Sequence, residues 1–221
     1  MNIPFSLQLL NALAALLLLL SFAMLSQRRI VTLVNLLAVQ GAVLCAATLL
    51  LAWRTGERHM YVSAALTLAL KVVFLPWLLH RLMRRLAVYW DTEPMLHISG
   101  TMMLGLLIVV FSFGLAQPIA ALASTATRNA VGIAVAVILL AFLSMITRRK
   151  AMSQVVGFLS MENGLFFGAM SATYGMPMVV ELGVALDVLV AMLVLGVFFF
   201  QIREQFDSLD LHHLESLKED R

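Results

Sequence analysis

The stretch LQLLNALAALLLLLSFAMLSQRRIVTLVNLLAVQGAVLCAATLLLAWR, residues 7–54, decides the fold. It holds two apolar runs, each long enough for a bilayer-crossing helix of about 20 residues. Only Ser26-Gln27-Arg28-Arg29 lies between them. A break this short between two such runs reads as a tight turn joining antiparallel spans. Leu9 to Leu20 has the look of a signal-peptide core, but no Lys or Arg precedes it and Arg28-Arg29 follows it directly. That order is the reverse of a signal peptide's, so the run is expected to stay as a mature helix.

The rest of the chain repeats this pattern. Of 221 residues 62% are hydrophobic and 12% charged, about half the charged fraction of an ordinary soluble domain. Fifteen basic and twelve acidic residues cannot coat a water-soluble globule of this size, which excludes a soluble enzyme. Further breaks at Arg54 to His59, Arg84 to Glu93, Gln117 to Asn129, Arg148 to Lys150 and Gly175 to Met178 predict an all-α protein. Seven helices are expected near 3–25, 30–53, 60–83, 95–116, 130–147, 151–174 and 179–201. The fifth, with its apolar run from Val131 to Thr147, is the shortest.

Alternating loops assign each basic residue to one side. Arg28, Arg29, Arg81, Arg84, Arg85, Arg148, Arg149, Lys150, Arg203, Lys218 and Arg221 fall together, against Arg54, Arg58 and Arg128 on the other side. The positive-inside rule then puts the amino terminus outside and the carboxyl terminus in the cytoplasm. The net charge of +3 reflects these loops, and no basic block is long enough to track phosphates, so no nucleic-acid role is expected. The lone cysteine, Cys45, lies in an apolar run and supplies neither a cluster nor a zinc site. It reads as a packing residue, and no metal or cofactor is expected.

Ionisable residues inside spans cost about 2.5–3.5 kcal/mol each on insertion scales and are functional candidates by default. Lys71 lies near the middle of the third span. Pro76 follows it, cannot donate to the carbonyl of Val72, and is expected to open the helical ladder beside the lysine. A proton-handling site and a structural counter-ion for a carboxylate elsewhere are both open for Lys71. Glu162 is central in the sixth span, in Ser160-Met161-Glu162-Asn163-Gly164. The same helix carries Ser160, Gly164, Gly168 and Ala172 at spacing four, a stripe that admits a close neighbour. Glu162 is turned about 160° from Gly164, so the carboxylate and the stripe should meet different helices. Titration and an inert, protonated Glu162 remain the two alternatives. On the seventh helix Glu181 and Asp187 lie about 120° apart, too far round to form one carboxylate pair. Glu181 reads equally as a solvated interfacial residue, whereas Asp187 is deeper. His80 and His97 sit near span ends without a second ligand at metal spacing and are expected to be interfacial.

The tail after Gln201 sets Phe206, Leu209, Leu211, Leu214 and Leu217 among Asp207, Asp210, Glu215, Glu219 and Asp220. Such an acidic helix favours a partner protein over an anionic lipid surface.

These residues carry a family resemblance spread over the whole chain. Leu70-Lys71-Val72 leading to Pro76, Met161-Glu162-Asn163-Gly164, Val180-Glu181-Leu182-Gly183 leading to Asp187, and the tail from Leu209 to Lys218 resemble the membrane component E of hydrogenase-4. That family belongs to formate hydrogenlyase-type and other group 4 membrane-bound nickel–iron hydrogenases. From Val131 onward, Arg148-Arg149, Gly157 and Asn163 also look like the three-helix K subunit of respiratory complex I and the C subunit of Mrp-type antiporters.

The resemblance implies a four-helix region over 1–130, a K-subunit-like region over 131–201 and a cytoplasmic tail over 202–221. It implies a subunit, non-catalytic by itself, in the bacterial inner (plasma) membrane. Antiporter-like and hydrogenase-proximal membrane subunits would be its partners, and nickel–iron and iron–sulfur subunits would carry the redox chemistry. Glu162, Lys71, Asp187 and Glu181 would serve proton or sodium translocation. Glu162 stands about one turn later relative to Gly157 than the family's glutamate, and Asp187 replaces a glutamate about a turn away, shifts of about 5 Å along the axis. Two alternatives stand beside this reading: a bridging subunit with silent carboxylates, and a component of an Mrp-type cation/proton antiporter.

Overall fold

A computed structural model describes residues 5–86, 97–120, 125–173, 183, 186–192 and 196. The chain is considered as two units, residues 1–187 and 188–221. In the first, α1 (Phe5–Ser26) and α2 (Ile30–Thr55) are followed by α3 (Arg58–Thr67), a π-helical segment (Leu68–Phe74) and α4 (Leu75–Leu86). Then come α5 (Ile98–Ala120), α6 (Thr125–Thr147) and α7 (Ala151–Thr173). In the second unit residues 188–192 are helical.

Among the described residues six helices are long and apolar enough to cross a membrane. The third is the continuous rod Arg58–Arg84 assembled from α3, the π segment and α4. Most of the seventh expected helix, the break at Gly175 to Met178, Glu181 and the acidic tail lie outside the described residues. Asp187 is described and helical.

The turns follow from local chemistry. α2 stops at Gly56, whose φ of 72° is left-handed and whose N–H donates to the Ala52 carbonyl. Glycine adopts this conformation without the steric cost a side chain would add. The α6–α7 turn is tied to the α1–α2 turn by Arg148, which donates to the Met24 carbonyl at 2.7 Å and the Gln27 carbonyl at 2.8 Å. Those carbonyls lie at the end of α1 and just beyond it, where helical partners run out, and a guanidinium fork suits them.

α5 runs Ile98–Ala120 where 95–116 is expected, and α6 and the third span depart from their sequence-based description for identifiable reasons. α6 starts at Thr125 and not near 130, because Thr125 to Asn129 add an outer polar turn that no hydropathy window rewards. The third span is not a uniform α-helix. Pro76 has no N–H, and the Leu75 N–H bonds to the Leu70 carbonyl, five residues back, in a π-helical ladder.

α7 is the interior helix, with 67% of its apolar window buried, and α5 the peripheral one, with 17%. α6 packs along α7, while α1 lies on α2 and α6, and α2 meets α7 and the third span. Leu17, Leu44, Met60, Val137, Phe167 and Met170 form the centre of the apolar core. The glycines on α7 set its approach to α6. A methyl at Gly164 would meet Val137 Cγ1 at 2.9 Å, and one at Gly168 would meet Ala134 Cβ at 2.8 Å. Ser160 is buried, and Ala172 at the far end of the same stripe is exposed.

Candidate functional site: a buried ion cluster

Three ionisable side chains from three stretches of chain converge in the interior of the first unit. Lys71 Nζ lies 2.9 Å from Glu162 Oε1 and 3.1 Å from Asp187 Oδ1. Their side chains are 5%, 2% and 3% exposed. The π segment carries Lys71, α7 carries Glu162, and Asp187 comes from the helical residues beyond. Sequence spacing could place each at membrane depth but could not pair residues 91 positions apart.

The lysine is fixed from several sides. Its Nζ donates to Asn163 Oδ1 at 3.1 Å and lies 5.7 Å from the centre of the Phe166 ring. Gly41 on α2 packs against its backbone: a methyl there would meet Lys71 Cβ at 3.2 Å and the Lys71 carbonyl oxygen at 3.3 Å. A side chain on α2 at this level would have to push the Lys71 backbone away by a few tenths of an ångström.

From Lys71 a line of neutral polar groups crosses the bundle. Asn163 Nδ2 donates to Gln40 Oε1 at 3.2 Å, Gln40 Nε2 to Ser21 Oγ at 3.0 Å, and Ser21 Oγ to the Leu17 carbonyl at 2.9 Å. The line thus runs from the third span through α7 and α2 to α1. Gln40 and Ser21 were not singled out from sequence, because a search for intramembrane charge passes over amides and hydroxyls. Their signal was a polar residue within a long apolar run. Burying an amide without partners is costly, and here each meets another.

On the acid side the satisfaction is incomplete. Among the described residues Glu162 Oε2 is buried without a hydrogen-bond partner. Asp187 Oδ1 is close enough to Lys71 for an ion pair but is not aligned with it as a hydrogen-bond acceptor. Among the described residues one ammonium faces two carboxylates, a net charge of −1 when all three are ionised.

The other candidates are placed elsewhere. His80 Nδ1 donates to the Pro76 carbonyl at 2.7 Å, and His97 is exposed. Cys45 Sγ is buried and donates to the Ala64 carbonyl at 3.3 Å, as a packing residue does. Among the described residues no group of three or more His, Cys, Asp or Glu side chains forms a metal site. Gly164 and Gly168 face α6, whereas Glu162 faces Lys71, so stripe and carboxylate do meet different neighbours.

Fold and site together define a polytopic helical membrane protein with a buried ion cluster clamped between its spans. The chain is 37% identical over 194 residues to the uncharacterised protein Rv0085 of Mycobacterium tuberculosis, covering 87% of this chain and 88% of that one. It belongs to the same family as that mycobacterial protein. It is also distantly similar, at 24% identity over 208 residues, to hydrogenase-4 component E of Escherichia coli K12. That match covers 94% of this chain and 96% of its relative, and the component E of Shigella flexneri matches equally. No protein-family model matches the chain. No solved structure matches it either.

Proposed function

We propose that the protein is a non-catalytic integral membrane subunit of a complex I-like group 4 hydrogenase assembly of the formate hydrogenlyase type. Its role there is to help couple hydrogenase electron transfer to movement of protons or sodium ions. The observation that carries the reading is the Lys71–Glu162–Asp187 cluster, three ionisable groups almost fully buried in a chain otherwise suited to lipid. The end-to-end similarity to hydrogenase-4 component E supplies the kind of assembly. Redox centres belong to other subunits in this view. Neighbouring antiporter-like and hydrogenase-proximal subunits continue the polar path, with Glu181 as a station near the outer end. The amino terminus lies outside, the carboxyl terminus in the cytoplasm, and the membrane is the bacterial inner membrane. The segment from Val131 onward takes the place of a K-type subunit.

A second reading has its own observation in favour. The Asn163–Gln40–Ser21 line holds Lys71 as a clamp would, which suits a bridging subunit with silent carboxylates.

Glu162→Gln separates the two, because it keeps shape and removes titration. In the assembled complex reconstituted in vesicles, the translocation reading expects electron transfer without its normal ion movement. Normal pumping by Glu162→Gln overturns it. Mild-detergent purification tests the assembly itself: hydrogenase subunits are expected to co-purify, and a chain that emerges alone and moves a solute in liposomes refutes membership.

A further inference from the structure

The cytoplasmic-type basic end of the third span has a construction that the ion cluster does not explain. α4 is sharply two-sided. Leu75, Leu79, Leu82 and Met83 are buried against the bundle, while Trp77, Arg81 and Arg84 are exposed. These three are four and three residues apart, so they line one helix face over about 10 Å. Below them Val73 and Phe74 are exposed too, and the Phe74 and Trp77 rings lie 6.4 Å apart. The face therefore grades from aliphatic through aromatic to cationic within about two turns. That is the polarity profile of a leaflet from acyl chain to headgroup.

The two arginines have no acidic partner among the described residues. Arg81 instead stacks on Trp77, its Cζ 5.3 Å from the ring centre. A guanidinium on an indole is oriented by its flat face and retains the in-plane N–H groups that bind phosphate oxygens in pairs. Arg28 and Arg29, exposed in the α1–α2 turn, lie at the same end of the bundle, since α2 and the third span run antiparallel from Gly56.

From the Trp77–Arg81–Arg84 face we infer a binding site for the phosphodiester headgroup of an anionic membrane lipid. Trp77 sits at the headgroup boundary, Arg81 is pre-oriented on it, and Arg84 adds a second cation one turn further out. Charge complementarity selects the occupant: a zwitterionic lipid presents its own ammonium to the two arginines, and a phosphatidylglycerol-type lipid does not.

Quenching of Trp77 by brominated lipid tests this on the full chain. The protein has three tryptophans, and Trp53→Phe with Trp90→Phe leaves Trp77 as the reporter. In bilayers with brominated phosphatidylglycerol as a minor component, quenching is expected to exceed that by brominated phosphatidylcholine at equal mole fraction. Taking a factor of about five per interfacial arginine, the selectivity approaches roughly 30-fold. Arg81→Gln with Arg84→Gln should bring the two lipids to parity. Equal quenching in the parent overturns the site, with no variant needed, and so does a preference that survives the double substitution. Displacement by millimolar inorganic phosphate would overturn the lipid as occupant.

Discussion

Replacing Lys71 by methionine keeps a long apolar stem and deletes the ammonium, leaving Glu162 and Asp187 without their common counter-ion and Asn163 Oδ1 without its donor. Breaking a buried ion pair from one side costs about 3–5 kcal/mol, because the remaining charge stays in low dielectric. Glu162→Gln is different in kind: the ammonium keeps Asp187 and Asn163, and an amide oxygen still offers an acceptor. Its expected cost is about 1.5 kcal/mol, the lower edge for a hydrogen bond to a charged group. The double variant Lys71→Met with Glu162→Gln has one fewer stranded carboxylate than Lys71→Met alone. It should be more stable than the sum of the singles implies, with a coupling of roughly 2 kcal/mol. The assay is unfolding of the purified chain in mixed micelles by titration with dodecyl sulfate, followed by far-ultraviolet circular dichroism. Two outcomes refute the reasoning: Lys71→Met no more harmful than Glu162→Gln, or additivity within about 0.5 kcal/mol.

Gln40→Leu removes the middle of the amide line and strands Asn163 Nδ2; a loss of about 1–3 kcal/mol in the same titration is expected, and a neutral result would count against the line as a clamp. The α7 glycines should respond unequally to alanine. At Gly168 the new methyl meets Ala134 Cβ at 2.8 Å, an atom that moves only with its helix, so a loss of about 1–3 kcal/mol follows from overpacking. At Gly157 the nearest atom is Met145 Cγ at 2.6 Å, on a flexible side chain, and the next is the Ala141 carbonyl oxygen at 3.5 Å. There the Met145 side chain must turn about χ1, and the gain of about 0.5–1 kcal/mol in helix propensity offsets part of that cost, so Gly157→Ala is expected to lose less than Gly168→Ala, and an equal or larger loss contradicts the contact argument.

The helical spans were legible because lipid simplifies the code. A span must be apolar for about 20 residues and must satisfy its backbone internally, so Leu9 to Leu20 and Val131 to Thr147 declare themselves without knowledge of their neighbours. The same rule made Lys71, Glu162 and Asp187 visible as exceptions. What one sequence could not show is which exceptions meet. Lys71 and Glu162 lie 91 positions apart, and helix periodicity relates residues only along their own axis. Gln40 and Ser21 were passed over for a different reason. Neutral polar residues occur in spans often enough that only their cross-helix bonds distinguish a network from isolated tolerance. The π segment shows a third limit. Pro76 announced a disturbed ladder, but a kink and a π segment are two responses to the same missing N–H, and the packing of Gly41 on Lys71 is known only from the fold.

The two arms of the buried network differ in what they can do. Asn163, Gln40 and Ser21 are neutral at any ordinary pH, and a primary amide passes a proton onward only through a high-energy imidic form, so this arm fixes the lysine and conducts nothing readily. Under the proposed function any change of charge falls on the acid arm, where among the described residues Glu162 Oε2 has no aligned hydrogen-bond partner and Asp187 Oδ1 lies 3.1 Å from Lys71 Nζ. A static bridge needs a matched pair, and one carboxylate would meet that need. A second buried carboxylate, when ionised, adds a desolvation cost that one ammonium does not offset. A bridge in which one of the two acids stays protonated carries no surplus, so the Glu162→Gln assay, and not the charge count, separates the two readings. The amide line fits either, as a support that holds the ammonium at 2.9 Å and 3.1 Å from the two acids.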